Sequence, residues 1–154
     1  MSSEKTEIPN SLNEHWMPFS SNRDFKANPR LITEAKGVYL KNHQGQTQID
    51  ASSGLFCNPL GHGREEIISA VTNQLRKLDY AQPFQQGFGG SFELATKIAK
   101  HTPGNLNRIF YTICGSTAVE TAIKISIAYH KARGQGHRFR FVGRERGYHG
   151  MNIG

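Results

Sequence analysis

The sequence of 154 residues predicts an α/β fold, and three patterns carry that prediction. Residues 108–113 form a compact run of β-branched and aromatic side chains, and residues 138–142 alternate basic with apolar ones, so both favour strands. Between them, residues 117–133 carry Ala118, Val119, Ala122, Ile123, Ile127 and Ala128 as a wide apolar stripe that Gly134 terminates, which makes the unit strand, helix, strand. Upstream, Ile67, Ile68, Val71, Leu75 and Leu78 recur at three- and four-residue spacing with charges between them, predicting an amphipathic helix over residues 64–78.

The remaining elements follow from local signals. Residues 1–14 are polar and contain Pro9, so they read as a mobile tail with nothing to offset the entropy of ordering. His15-Trp16-Met17-Pro18-Phe19 concentrates aromatic surface for docking, and Pro18 and Pro29 prevent one long helix there. Residues 31–49 alternate loosely (Val38 and Leu40, then Thr47 and Ile49) around Asn42-His43-Gln44-Gly45, predicting a β-hairpin. A loop with Pro83 and three glycines precedes a second helix that Ser91 opens through Phe92, Leu94, Ala95, Ile98 and Ala99, and Pro103-Gly104 stops it. Phe139 and Phe141 are expected to look inward. A parallel strand pair needs cover on both faces, and residues 143–154 add no further strand or helix, so the sheet is expected to be cut off and the protein incomplete.

Composition narrows the class. Hydrophobic residues make up 36% of the chain, which excludes the disordered and collagen-like classes and makes one domain the default. No apolar run approaches the roughly 20 residues that cross a bilayer, and the polar first ten residues hold no signal core, so no membrane association is expected. Cys57 and Cys114 lack the spacing of a zinc site or a disulfide scaffold, so no metal is expected and a reduced cytoplasm fits. The net charge of +7 suits either nucleic acid or a pocket for phosphate or carboxylate. Its densest tract holds Lys131, Arg133, Arg138, Arg140, Arg144 and Arg146 against Glu145 alone.

The junction of the first expected strand and its helix is Cys114-Gly115-Ser116-Thr117. Amide N–H groups in the first turn of a helix have no internal partner, and the helix dipole adds positive charge there, so an anion is welcome. Gly115 permits close approach, and Ser116 and Thr117 add hydroxyl donors; Thr117-Ala118-Val119-Glu120 also fits a plain capping box. No dinucleotide or P-loop glycine pattern occurs, since Gly87-Phe88-Gly89-Gly90 has neither a preceding strand nor a phosphate lysine. Beyond the second expected strand, Gly147-Tyr148-His149-Gly150 places an aromatic ring where parallel α/β folds hold ligands, either to stack on a flat ligand or to anchor the loop.

Taken together, the chain resembles the amino-terminal part of a class III aminotransferase dependent on pyridoxal 5′-phosphate, of the omega-amino acid (β-alanine):pyruvate type. The resemblance rests on His15-Trp16-Met17-Pro18-Phe19, Gln48-Ile49-Asp50, Ser53-Gly54-Leu55-Phe56-Cys57, Gly61-His62-Gly63, Asp79-Tyr80-Ala81-Gln82-Pro83-Phe84, Gly115-Ser116 and Arg144-Glu145-Arg146-Gly147-Tyr148-His149-Gly150. It implies a fold-type I transferase, here truncated. Residues 1–14 would be a flexible tail, 15–75 the amino-terminal segment of the small domain, and 76–154 the start of the cofactor-binding large domain. It implies a homodimer, an amine or omega-amino acid donor, and pyruvate as acceptor. Gly115, Ser116 and Thr117 match the turn that holds the cofactor phosphate, and Tyr148 matches the aromatic that covers the pyridine ring and borders the substrate pocket. Phe19, Phe56 and Phe84 match further positions that shape that pocket.

Two departures stand out. Ile113-Cys114-Gly115-Ser116-Thr117 replaces the usual Asn-Ser-Gly-Ser-Glu, and Phe56 replaces a usual tryptophan. The family's Schiff-base lysine, pyridinium-pairing aspartate and carboxylate-binding arginine fall beyond Gly154, so no catalytic residue is assigned and the chain alone is expected to be inactive. Lys124 reads as an i, i+4 surface partner of Glu120. Two other classes are consistent with parts of the sequence: a basic nucleic-acid-binding module using residues 131–146 with Tyr148, and a non-catalytic partner of a full-length paralogue. The expected arginines at a sheet end favour no nucleic acid.

Overall fold

Asn42 sets the corner of a three-stranded antiparallel sheet ordered β1 (Ile32–Lys36), β2 (Tyr39–Asn42) and β3 (Thr47–Ile49). Its carboxamide oxygen accepts from the amides of Gln44 (3.1 Å) and Gln46 (2.9 Å), and its own N–H donates to Gln46 O at 2.9 Å. Gly45 takes φ +81°, a conformation that side chains resist, and closes the turn on Asn42 O at 2.8 Å. The register pairs Tyr39 with Ile49 and Lys41 with Thr47. The expected hairpin therefore forms, and β1 adds an unexpected strand, where Glu34 and Lys41 face each other as a 3.1 Å ion pair.

The structure, a computed structural model, describes residues 5–153. The first four residues of the expected tail and Gly154 at the end of the expected large-domain segment lie outside them. Of the remaining tail, the Thr6 N–H donates to His43 O at 2.9 Å. The chain divides into two compact units, Met1–Tyr80 and Ala81–Gly154.

The first unit holds the sheet, α1 (Asn22–Ala27), a short helical turn α2 (Ser53–Phe56) and α3 (Glu65–Lys77). Helix α3 lies where the apolar spacing predicts, with Glu65 and Glu66 in its first turn and Arg76 and Lys77 in its last, each complementing the dipole. Asn22 opens α1 and hydrogen-bonds both the N–H and the C=O of Met17, so the aromatic segment is tied back at its centre. The turn α2 has the opposite hand: Ser53, Gly54, Leu55 and Phe56 all have φ between +51° and +67°. For a non-glycine residue the left-handed region costs about 1–2 kcal/mol, so three of the four need external support.

The second unit holds α4 (Gly89–Ala99) and α5 (Gly115–Ala132). Both occur where expected, each beginning two residues earlier, and Gly134 ends α5 at φ +74° with its N–H on Lys131 O at 3.0 Å. The expected strands at 108–113 and 138–142 are not present: neither run forms a ladder with another strand among the described residues. A strand exists only through the N–H and C=O groups of a neighbour, and side-chain alternation cannot supply that neighbour. Residues 108–113 are instead attached to α4 through the Tyr111 hydroxyl, which donates to Ser91 O at 2.7 Å. Phe139 and Phe141 do not point inward either, being 57% and 52% exposed.

No hydrophobic side chain among the described residues is buried. The stripe of α3 stays in water, with Val71 and Leu75 more than half exposed. Full burial of such a side chain contributes about 1.5–3 kcal/mol, and here that contribution is absent. Val71→Glu with Leu75→Glu is therefore expected to change stability by no more than about 0.5 kcal/mol per site, the scale of surface positions. The pair is also expected to lower fluorescence from the apolar-surface dye ANS. A marked loss of helical circular dichroism in the double variant would show instead that the stripe is covered.

Candidate functional site

Helix α5 begins abruptly. Cys114 precedes it in fully extended backbone (φ −162°, ψ 169°), and the first internal bond runs from Ala118 N–H to Cys114 O at 3.0 Å. No side chain caps the helix through an ordinary hydrogen bond, and the amides of Gly115, Ser116 and Thr117 have no oxygen acceptor among the described residues; those of Ser116 and Thr117 face the Cys114 thiol. The Thr117–Glu120 capping box does not form, because the helix starts two residues too early for it. A Cβ placed on Gly115 would meet nothing within 4 Å, so the space beside its Cα is open. These donors, with the two hydroxyls and the positive end of the dipole, fit a phosphate dianion.

A loop from residues 150–152 lies across this first turn. The Met151 N–H donates to Ser116 Oγ at 3.1 Å, and Asn152 Nδ2 donates to Glu120 Oε2 at 2.7 Å. The approach requires glycine: at Gly150 (φ +109°) a Cβ would lie 2.7 Å from Ser116 Cα and 2.9 Å from its Oγ. The structure thereby brings the Gly147–Gly150 motif to the Ser116 turn, and Tyr148, two residues before the contact, remains 73% exposed. Tyr148 makes no side-chain hydrogen bond among the described residues.

Charge supports this arrangement. Glu120 bonds the Lys124 ammonium, as its i, i+4 spacing predicts, and Asn152 with its other oxygen. Lys124 first and Asn152 next hold the Glu120 carboxyl below its ordinary value. The Thr117 hydroxyl, 3.3 Å from Cys114 Sγ, is the leading cause of a lowered Cys114 thiol pKa, followed by the Thr117 amide. The thiol thus sits exposed against the first-turn donors of α5.

Of the other expected site residues, Phe19 and Phe56 lie in the first unit and Phe84 in the second, all largely exposed. Phe19 and Phe56 both have positive φ, at +51° and +67°. The latch formed by Glu120, Met151 and Asn152 is not expected from sequence. Its partners lie 32 and 35 residues apart, and neither periodicity nor a local motif relates them. No group of three or more His, Cys, Asp or Glu side chains is placed to hold a metal among the described residues, and no helix there is long and apolar enough to cross a membrane.

Gly150→Ala is expected to cost on the order of 1–3 kcal/mol in local strain and steric overlap, and to speed hydrogen exchange at the Met151 amide. The Glu120 latch also depends on pH. A carboxyl whose folded pKa is depressed contributes stability that is present above its ordinary value and lost as pH falls through the lowered one. The Asn152 side-chain NMR signals are therefore expected to hold steady above pH 4.5, the ordinary glutamate value, and to move only below it.

Comparison with known proteins identifies the family. The profile of the family described as aminotransferase class-III matches residues 20–154. The chain is 45% identical over 145 residues to an omega-aminotransferase of Caulobacter vibrioides, covering 94% of this chain and 33% of that protein. It is 47% identical over 142 residues to an omega-amino acid–pyruvate aminotransferase of Pseudomonas putida, covering 92% and 32%. Among solved structures, the omega transaminase of Pseudomonas jessenii in complex with PMP superposes with TM-score 0.89 at 27% identity, covering 96% of this chain and 33% of that one. The adenosylmethionine-8-amino-7-oxononanoate aminotransferase of Methanocaldococcus jannaschii superposes at 0.86 with 35% identity, covering 91% and 32%. The chain spans about a third of the length of the curated relatives it matches. The matching profile, the identity across nearly all of this chain and the shared fold together make it a member of the class III aminotransferase family, with the fold-type I architecture of those transaminases.

Proposed function

We propose that this chain carries the cofactor-phosphate turn of an enzyme that moves an amino group from an amine or omega-amino acid to pyruvate, using pyridoxal 5′-phosphate. The observation that carries the reading is the start of α5 at Gly115, Ser116 and Thr117, whose amides have no oxygen acceptor among the described residues, with the Tyr148 loop docked on Ser116. The 45–47% identity to omega-aminotransferases supports the reaction class. When bound, pyridoxal phosphate supplies the electron-withdrawing ring on which amino transfer depends.

The chain's own residues bind and orient. The amides and hydroxyls of Gly115, Ser116 and Thr117 hold the phosphate dianion, with the helix dipole adding attraction. Tyr148 offers its exposed face to the flat ring, held near by the Gly150 contact and the Asn152–Glu120 bond. Phe19, Phe56 and Phe84 each offer an aromatic face to the substituent of the amine. Lys124 is committed to Glu120 and takes no part. The active form is a homodimer, which gives the exposed Trp16 and Phe19 a surface to cover, and the two free thiols suit the reducing cytoplasm.

Cys114 reports on the site directly. Iodoacetamide is expected to modify Cys114 faster than Cys57, and pyridoxal phosphate or inorganic phosphate to slow only the reaction at Cys114. Equal, unprotected rates at both thiols would remove the phosphate assignment. No lysine of residues 1–154 is assigned the Schiff-base role in this reading, so these residues with pyridoxal phosphate, β-alanine and pyruvate are expected to yield no alanine. Turnover accompanied by a borohydride-stable adduct on one lysine would overturn that expectation.

A further inference from the structure

The turn that carries Phe56 runs against the handedness of L-residues through four consecutive positions, Ser53 to Phe56. Its own bonds, such as Phe56 N–H to Ser52 O at 2.9 Å, close the turn without selecting that hand. Two side chains bond to it: the Cys57 thiol donates to Leu55 O at 3.6 Å, and Asp50 reaches in from the sheet. Asp50 Oδ2 accepts from the Gly54 amide at 2.8 Å and from His62 Nε2 at 3.0 Å, and Oδ1 accepts from the Ser52 hydroxyl at 3.1 Å. The Asp50 side chain is only 7% exposed, in a unit where nearly every other group faces water.

Asp50 is also mounted rigidly. Its N–H donates to Val38 O at 2.8 Å, and His62 is bridged to Gly37 through two backbone bonds of 2.8 and 2.9 Å, so both partners hang from the same corner between β1 and β2. A Cβ on Gly61 would lie 3.1 Å from Gly37 O, which keeps that corner closely packed. The Gly54 amide first and His62 next hold the Asp50 carboxyl below its ordinary value.

We infer that Asp50 is a positioning residue: by binding the Gly54 amide from a fixed point on the sheet corner, it holds the Ser53–Phe56 turn left-handed and so sets the face that Phe56 presents. The role of Phe56 toward an amine substituent rests on the amino-transfer reading above; the hand of the turn does not. The arrangement accounts for a carboxylate buried beside a turn whose aromatic tip is 85% exposed.

The test is NMR of the full chain. Positive φ gives Leu55 and Phe56 strong intraresidue HN–Hα NOEs. Asp50→Ala is expected to abolish both while the cross-strand NOEs of the Tyr39–Ile49 and Lys41–Thr47 pairs persist. Asp50→Asn, which keeps an acceptor for Gly54, is expected to retain them. The proposal is overturned if the NOEs survive in Asp50→Ala, if Asp50→Asn loses them as well, if the unsubstituted chain lacks them, or if the hairpin signals vanish together with the turn. Loss confined to Asp50→Ala, combined with no protection of Cys114 by phosphate, would leave the clamp standing and remove the amino-transfer reading alone.

Discussion

The closest approach at the candidate site is between Gly150 and Ser116, and the geometry of the second unit turns on it. Because residue 150 has no Cβ, the backbone of the 150–152 loop can lie on the first turn of α5, where Met151 takes the Ser116 hydroxyl and Asn152 takes Glu120. That contact holds the Tyr148 loop beside the leading amides of the helix, where the Cys114 thiol also lies. A side chain at residue 150 would force the loop outward, away from the first turn of α5.

The same economy governs the first unit. A sheet corner at Gly37 and Val38 carries two side chains, Asp50 and His62, that meet on a left-handed turn. Its cost is local and so is its support: one carboxylate with three donors. Both sites therefore depend on small residues that let polar groups come close, and on single acceptors that replace the bonds the backbone cannot make for itself.

The helices and the hairpin exist here without burying hydrophobic side chains among the described residues. They are specified by local chemistry: the Asn42 carboxamide in the turn, acidic and basic ends on α3, and Gly134 behind α5. Such features need no tertiary partner. The two expected strands needed one and did not form, which separates local from non-local specification within one chain.

Sequence alone determined the elements whose causes lie within a few residues. Helices α3, α4 and α5, the β2–β3 hairpin and the Glu120–Lys124 pair were all legible because spacing, caps and glycine act over one or two turns. The family resemblance was legible for the same reason, being carried by short contiguous motifs. Tertiary structure decided the rest: that 108–113 and 138–142 lack a ladder, that Gly150 rests on Ser116, that Asn152 reaches Glu120, and that Asp50 meets His62 at the Phe56 turn. Those contacts join residues 12 to 35 positions apart in three of these cases. No periodicity encodes such pairs, because they depend on where the backbone carries each side chain in space.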